Sequence, residues 1–237
     1  RTGSIGVNGG QLSLSGNVTV PEPILVQGPG DGSFGAFNGA VASAAGTNTV
    51  GGTITLSGTA SYRLSAPGAG AVLNLGLIQR ATASGGAVII DPIAGATVNV
   101  NVPMDNNAGS LTCHAGGLVV LNASGNDIGQ ATVQNATTLR ITATDALALN
   151  QTLQIGQSIG ANGASGVNND VGTFILDAPS QTINALVGST NSGANATTSD
   201  KRKITTTTSN TVTLIVGNGN GGSTFDGVIE NGTNGGT

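Results

Sequence analysis

The chain has 237 residues, of which 40 are glycine, 8% are charged and 2% are aromatic, with a formal net charge of −4. That balance excludes a nucleic-acid binder, because phosphate neutralisation needs clustered Lys and Arg that the chain lacks, and it excludes a globule built around aromatic anchors in a charged shell. Val, Leu, Ile and Phe still make up about a quarter of the residues, so the chain is expected to collapse rather than stay solvated, around a thin core needing only small aliphatic side chains in each layer.

In chain order, the first alternating run is "GQLSLSGNVTV" at 10–20. The stretch 26–52 then breaks the rhythm, carries Phe34 and Phe37, and is expected to be a loop or an atypical coil. Strands follow at 51–58, 70–78, 86–91, 96–102, 116–122, 138–142, 152–156, 172–178 and 211–217, with weaker ones at 130–133 and 181–187. Each is four to eight residues of β-branched side chains or Leu, bounded by Gly, Asn, Ser or Asp, which is strand-and-turn chemistry. The best helix candidate, 144–153, places Leu147 and Leu149 at period 2 and reads better as strand. The polar segments 157–170 and 188–203 are expected as loop excursions.

Thr53, Val72, Thr97, Leu118, Thr138, Thr152 and Thr173 open successive runs and recur at a period near 20. The whole chain, 1–237, is therefore read as one all-β segment, a parallel β-helix (β-solenoid) of 20–25 residues per coil, with a β-sandwich as the alternative. Roughly eleven coils at about 4.8 Å each predict a rod about 50 Å long. Gly belongs at the corners, and Asn or Thr side chains stacked from coil to coil are expected to bond along the axis.

The closing stretch "TVTLIVGNGNGGSTFDGVIENGTNGG", 211–236, resembles the autotransporter-associated β-strand repeat of large bacterial surface proteins. Thr213 to Gly217 are similar to its first strand, and Phe225, Gly227, Val228 and Ile229 match its second element, with Asp226 where Ser is more usual. The resemblance covers about 20 residues. It implies a β-helical, exported, surface-displayed protein and no activity, with Phe225, Val228 and Ile229 lining a rung and Asp226 and Glu230 near its turns.

Candidate chemistry is sparse. Asp105, Asp127 and Asp145 are spaced so that coils of about 20 residues could bring them together, as in a glycan-active β-helix with paired carboxylates. Against that reading, a sugar groove lacks stacking surfaces in a chain with no Trp and only Tyr62. Asp226/Glu230 and Asp170/Asp177 are the closest acidic pairs. Asp31 stands in a single Gly/Asp copy of a Ca²⁺-binding repeat that needs tandem copies. Cys113 beside His114 has no second Cys or His to complete a metal site, and reads as a buried thiol next to a surface imidazole. Asp200, Lys201, Arg202 and Lys203 read as a solvated turn. Sequons at Asn17, Asn122, Asn135, Asn150, Asn195 and Asn231 are what chance gives in an Asn/Thr-rich chain.

No catalytic, cofactor or metal residue is therefore assigned. A single cysteine leaves no internal disulfide, and no apolar run of 18 or more marks a membrane-spanning segment. The expected role is a non-catalytic structural or adhesive protein, extracellular or on a bacterial cell surface, in a fragment or processed form. It would self-associate head to tail or laterally, or meet a surface glycan or protein. A glycan-active β-helix enzyme and a capsid- or pilus-like sandwich subunit are the alternatives.

Overall fold

The computed structural model describes residues 3–30, 39–58, 60–81, 86–106, 109–156, 171–188 and 202–232. Among them there is no helix, and every strand ladder is parallel. The chain is an all-β parallel β-helix whose coils lay strands on three faces.

The first face carries β1 (Ile5–Asn8), β4 (Ile24–Gln27), β7 (Ile54–Leu56) and β10 (Ile78–Arg80). The second carries β2 (Leu12–Ser15), β5 (Val41–Ala45), β8 (Tyr62–Ala66), β11 (Val88–Pro92), β13 (Ser110–Cys113), β15 (Gln130–Val133), β17 (Thr152–Ile155) and β20 (Ala185–Gly188). The third carries β3 (Thr19–Val20), β6 (Thr47–Val50), β9 (Val72–Leu75), β12 (Thr97–Val100), β14 (Leu118–Leu121), β16 (Thr137–Ile141), β18 (Gly172–Leu176), β21 (Arg202–Thr205) and β23 (Val228–Ile229). After β10 the first face is held by single bridges at Asp105, Asp127 and Leu147, and it resumes as β19 (Ser180–Ile183) and β22 (Thr213–Val216).

Val72, Thr97, Leu118, Thr138 and Thr173 are direct register partners along the third face. The period read from the sequence was thus a real coil-to-coil spacing at those five positions. Thr53 and Thr152 lie on other faces, so counting them shortened the apparent repeat. Thr19 pairs with Thr49, Thr138 with Thr173 and Thr173 with Lys203, advances of 30, 35 and 30 residues that exceed the expected 20–25. Among the described residues the third face carries nine strands, against the roughly eleven coils expected, and they span about 40 Å at about 4.8 Å per step. The extra residues fall in sequence between β4 and β5, between β17 and β18, and between β20 and β21.

The segment 26–52 is not a loop throughout: β5 and β6 lie inside it, on the second and third faces, while Asp31, Phe34 and Phe37 fall outside the described residues. So do 157–170 and 189–201. Residues 144–151 form turns around the Leu147 bridge rather than a strand.

Inward side chains stack like on like. Leu73, Val98, Val119, Leu139 and Phe174 form one fully buried column inside the third face, and each such burial stabilises by about 1.5–3 kcal/mol. At the corner between the second and third faces the chain turns in the left-handed region. Gly46 has φ 74° there, and a Cβ would sit 2.8 Å from Asn17 Oδ1.

Buried amides replace strand pairing where the first face thins. Asn126 is fully buried; its Oδ1 accepts from Met104 N at 2.8 Å, and its Nδ2 donates to the carbonyls of Ala123 and Ala146. Gln181 likewise accepts from Leu147 N and donates to Leu147 O, both at 3.0 Å. Without these side chains, interior backbone groups would lack partners. On the surface, Asn99 donates to Asn74 at 2.8 Å, and Asn122 donates to Asn101 at 2.8 Å while accepting from Thr142. These are the axial Asn/Thr ladders expected from composition.

Candidate functional site

The acidic trio separates. Asp105 and Asp127 are paired by a parallel bridge on neighbouring coils of the first face, both exposed, with Gln79 one coil before Asp105. Asp145 does not join them. Asn126 is bridged to Leu147, so Asp127 falls beside Ala148, and the Asp145 carboxylate instead accepts from Thr182 N at 2.9 Å. Asp145 has φ 48°, a turn geometry that short polar side chains tolerate. A spacing of 18 residues missed the register because part of that coil is turn.

Among the described residues, aromatic rings do not flank the pair. Tyr62 and Phe174 are fully buried and Phe225 packs against the core. The Tyr62 ring lies under the Arg80 guanidinium, 5.5 Å from its centroid. Burial raises the Tyr62 hydroxyl's pKa, against the opposing effect of the Arg80 charge. Arg80 donates to Asn106 Oδ1 at 3.0 Å and to the Gly86 carbonyl, and burial pushes its pKa down.

A buried polar cluster stands on the outward side of the second face, and sequence reasoning missed it. Ser65 is the register partner of Asp91 on the next coil, and Ile90 pairs with Cys113, which places His114 beside Asp91 one coil further. Arg63 Nη1 donates to Asp91 Oδ2 at 2.8 Å, with the two side chains 5% and 0% exposed. His114 Nδ1 lies 3.3 Å from Asp91 Oδ1. Ser65 Oγ accepts from Gly39 N at 2.9 Å. The available signal was a charged residue inside each of two strand-like segments, "YRLSA" and "VIIDP", which the register sets diagonally across adjacent coils, Arg63 opposite Ile89 and Asp91 opposite Ser65.

This column is not a nucleophile–base–acid relay. Asp91 sits between Ser65 and His114, so the hydroxyl and imidazole are two coils apart, about 10 Å. Cys113 and His114 project to opposite sides because side chains alternate along a strand. Cys113 is fully buried, and burial followed by the Asp91 charge pushes its thiol up, away from the reactive thiolate. His114 is 16% exposed rather than a surface residue.

The other ion pairs among the described residues also join successive coils. Arg140 Nε lies 2.7 Å from Asp177 Oδ2, whose carboxylate accepts from the Thr206 hydroxyl and from the amide and hydroxyl of Thr207. Burial raises the Asp177 carboxyl, but the Thr207 bonds, the Arg140 charge and the Thr206 bond outweigh it and hold its pKa below the ordinary value. Asp170 lies outside the described residues, so the Asp170/Asp177 pair is not described. Asp226 and Glu230 do not form a site with each other. Asp226 takes Arg202 at 2.5 Å and Glu230 takes Lys203 at 2.5 Å, both cations belonging to the preceding coil. Arg202 is buried in β21, which corrects the solvated-turn reading at that residue. In β23, Val228 is half-buried and Ile229 is 65% exposed.

Among the described residues, no group of three or more His, Cys, Asp or Glu is placed to hold a metal ion, and no helix is long and apolar enough to cross a membrane. Compared with known proteins, the chain finds no matching family model, no matching curated protein and no matching solved structure.

Proposed function

We propose that the protein is a structural or adhesive spine, displayed outside the cell on a bacterial surface, whose work is to hold a rigid repetitive face at a distance. The observation carrying this reading is the use made of the charges. Asp91, Asp177, Asp226 and Glu230 each take a cation from another coil, so these carboxylates tie the stack together rather than converge on a substrate. The resemblance of 211–232 to the autotransporter-associated repeat supports surface display, and the outward Thr and Asn side chains of the third face suit lateral association or contact with a surface glycan or protein.

Displayed on a bacterial cell through a heterologous outer-membrane anchor, the chain should increase adherence of the cells to one another or to immobilised glycans and proteins. Unchanged adherence would refute this reading.

The register pairing of Asp105 with Asp127 favours a second reading, a glycan-active enzyme, because it sets the two acidic residues on adjacent strands with backbones about 4.8 Å apart, from which two carboxylates can reach the separation of about 5–5.5 Å used by a nucleophile and acid pair. Cleavage in a panel of acidic and neutral polysaccharides, abolished by Asp127→Asn, would establish it.

A further inference from the structure

Four Asn–Gly steps lie within the described residues: Asn8–Gly9, Asn218–Gly219, Asn220–Gly221 and Asn231–Gly232. As sequence they are equivalent. A glycine has no Cβ to keep its backbone nitrogen away from the preceding carboxamide, so each could cyclise. The structure separates them by what holds the glycine.

Gly9 N donates to Gln27 O at 3.2 Å, and Gly221 N donates to Asn184 Oδ1 at 2.9 Å, so both nitrogens are fixed to another coil. The Gly232 backbone is packed on the preceding coil so closely that even a Cβ would overlap the Thr206 carbonyl. Gly219 differs. It sits at φ 117° in a turn closed by Asn220 N donating to Gly217 O at 3.3 Å, and its own amide donates to no acceptor among the described residues. Asn218 beside it is exposed.

We propose that Asn218 is a site of spontaneous backbone-assisted deamidation, set apart from Asn8 and Asn220 by the unengaged amide of Gly219 and from Asn231 by the close packing of Gly232 on Thr206. A water or hydroxide base removes the Gly219 amide proton, and the nitrogen attacks Asn218 Cγ. The new C–N bond closes a five-membered succinimide as the Cγ–Nδ2 bond breaks, and the departing nitrogen takes a proton to leave as ammonia. Water then opens the ring at either carbonyl, giving aspartate or isoaspartate with no change of oxidation state.

The product alters a contact between coils. Asn218 Nδ2 donates to Leu149 O at 3.3 Å. A carboxylate cannot donate there and presents negative charge to the carbonyl, so ageing loosens the turn after β22 from the turn at Leu149.

The test is a time course of the folded protein at mildly alkaline pH, followed by peptide mapping and mass spectrometry, with a parallel series in urea. Asn218 is expected to convert about tenfold faster than Asn8 or Asn220 in the folded protein, the factor set by one hydrogen bond on the attacking nitrogen, and faster than Asn231, whose glycine is packed against Thr206. In urea the four rates should converge. Conversion of Asn218 no faster than the others, or a lead that persists in urea, would overturn the proposal.

Discussion

Removing the Asp91 carboxylate is the sharpest test of how charge is used in this coil stack. Asp91 is fully buried, and its Oδ2 accepts from Arg63 at 2.8 Å while its Oδ1 faces His114. In Asp91→Ala the Arg63 side chain, 5% exposed, keeps its charge beneath the surface without that counter-ion. Breaking a buried pair in this way costs about 3–5 kcal/mol, and replacing both partners by apolar residues of similar volume removes most of that cost. For a chain of this size the single substitution should lower the melting temperature by about 6–20 °C, and Arg63→Met with Asp91→Leu should restore most of the loss. Because coils contact mainly their neighbours, hydrogen exchange should rise first in β8, β11 and β13 rather than uniformly. Thermal denaturation by circular dichroism and exchange by mass spectrometry provide the two readouts. A single variant losing under about 1 kcal/mol, or a double variant no better than the single, would refute the reasoning.

Asn126→Leu removes the acceptor for Met104 N and two donations to carbonyls, and should cost about 2–4 kcal/mol despite the added apolar volume; urea unfolding followed by circular dichroism measures it. Asp177 gives a pH signature. Its folded pKa is depressed, so its contribution is fully present above the unfolded value of about 3.9 and is lost as pH falls through the lower folded value. Asp177→Asn should therefore be less stable than the parent above about pH 4 and converge with it in stronger acid, as read from melting temperature against pH.

Composition and punctuation were enough to determine that the chain makes short strands around a thin aliphatic core. The runs that became β9, β12, β14, β16 and β18 carry alternating aliphatics between turn residues, and alternation is a local property that survives any arrangement of the faces. Axial bonding by Asn and Thr was legible for the same reason, since stacking identical coils superimposes like side chains. Strands with charged or short segments were not legible: β8 contains Arg63, β21 begins at Arg202, and β13 is only Ser110–Cys113. The arginines of β8 and β21 are stabilised by partners 24 or more residues away, which no local pattern records. Only the tertiary structure decided which residues share a column, because insertions of variable length shift the offset from coil to coil. That is why Asp145 left Asp127, why Asp91 gained Arg63 and His114, and why Asp226 and Glu230 met Arg202 and Lys203 instead of each other.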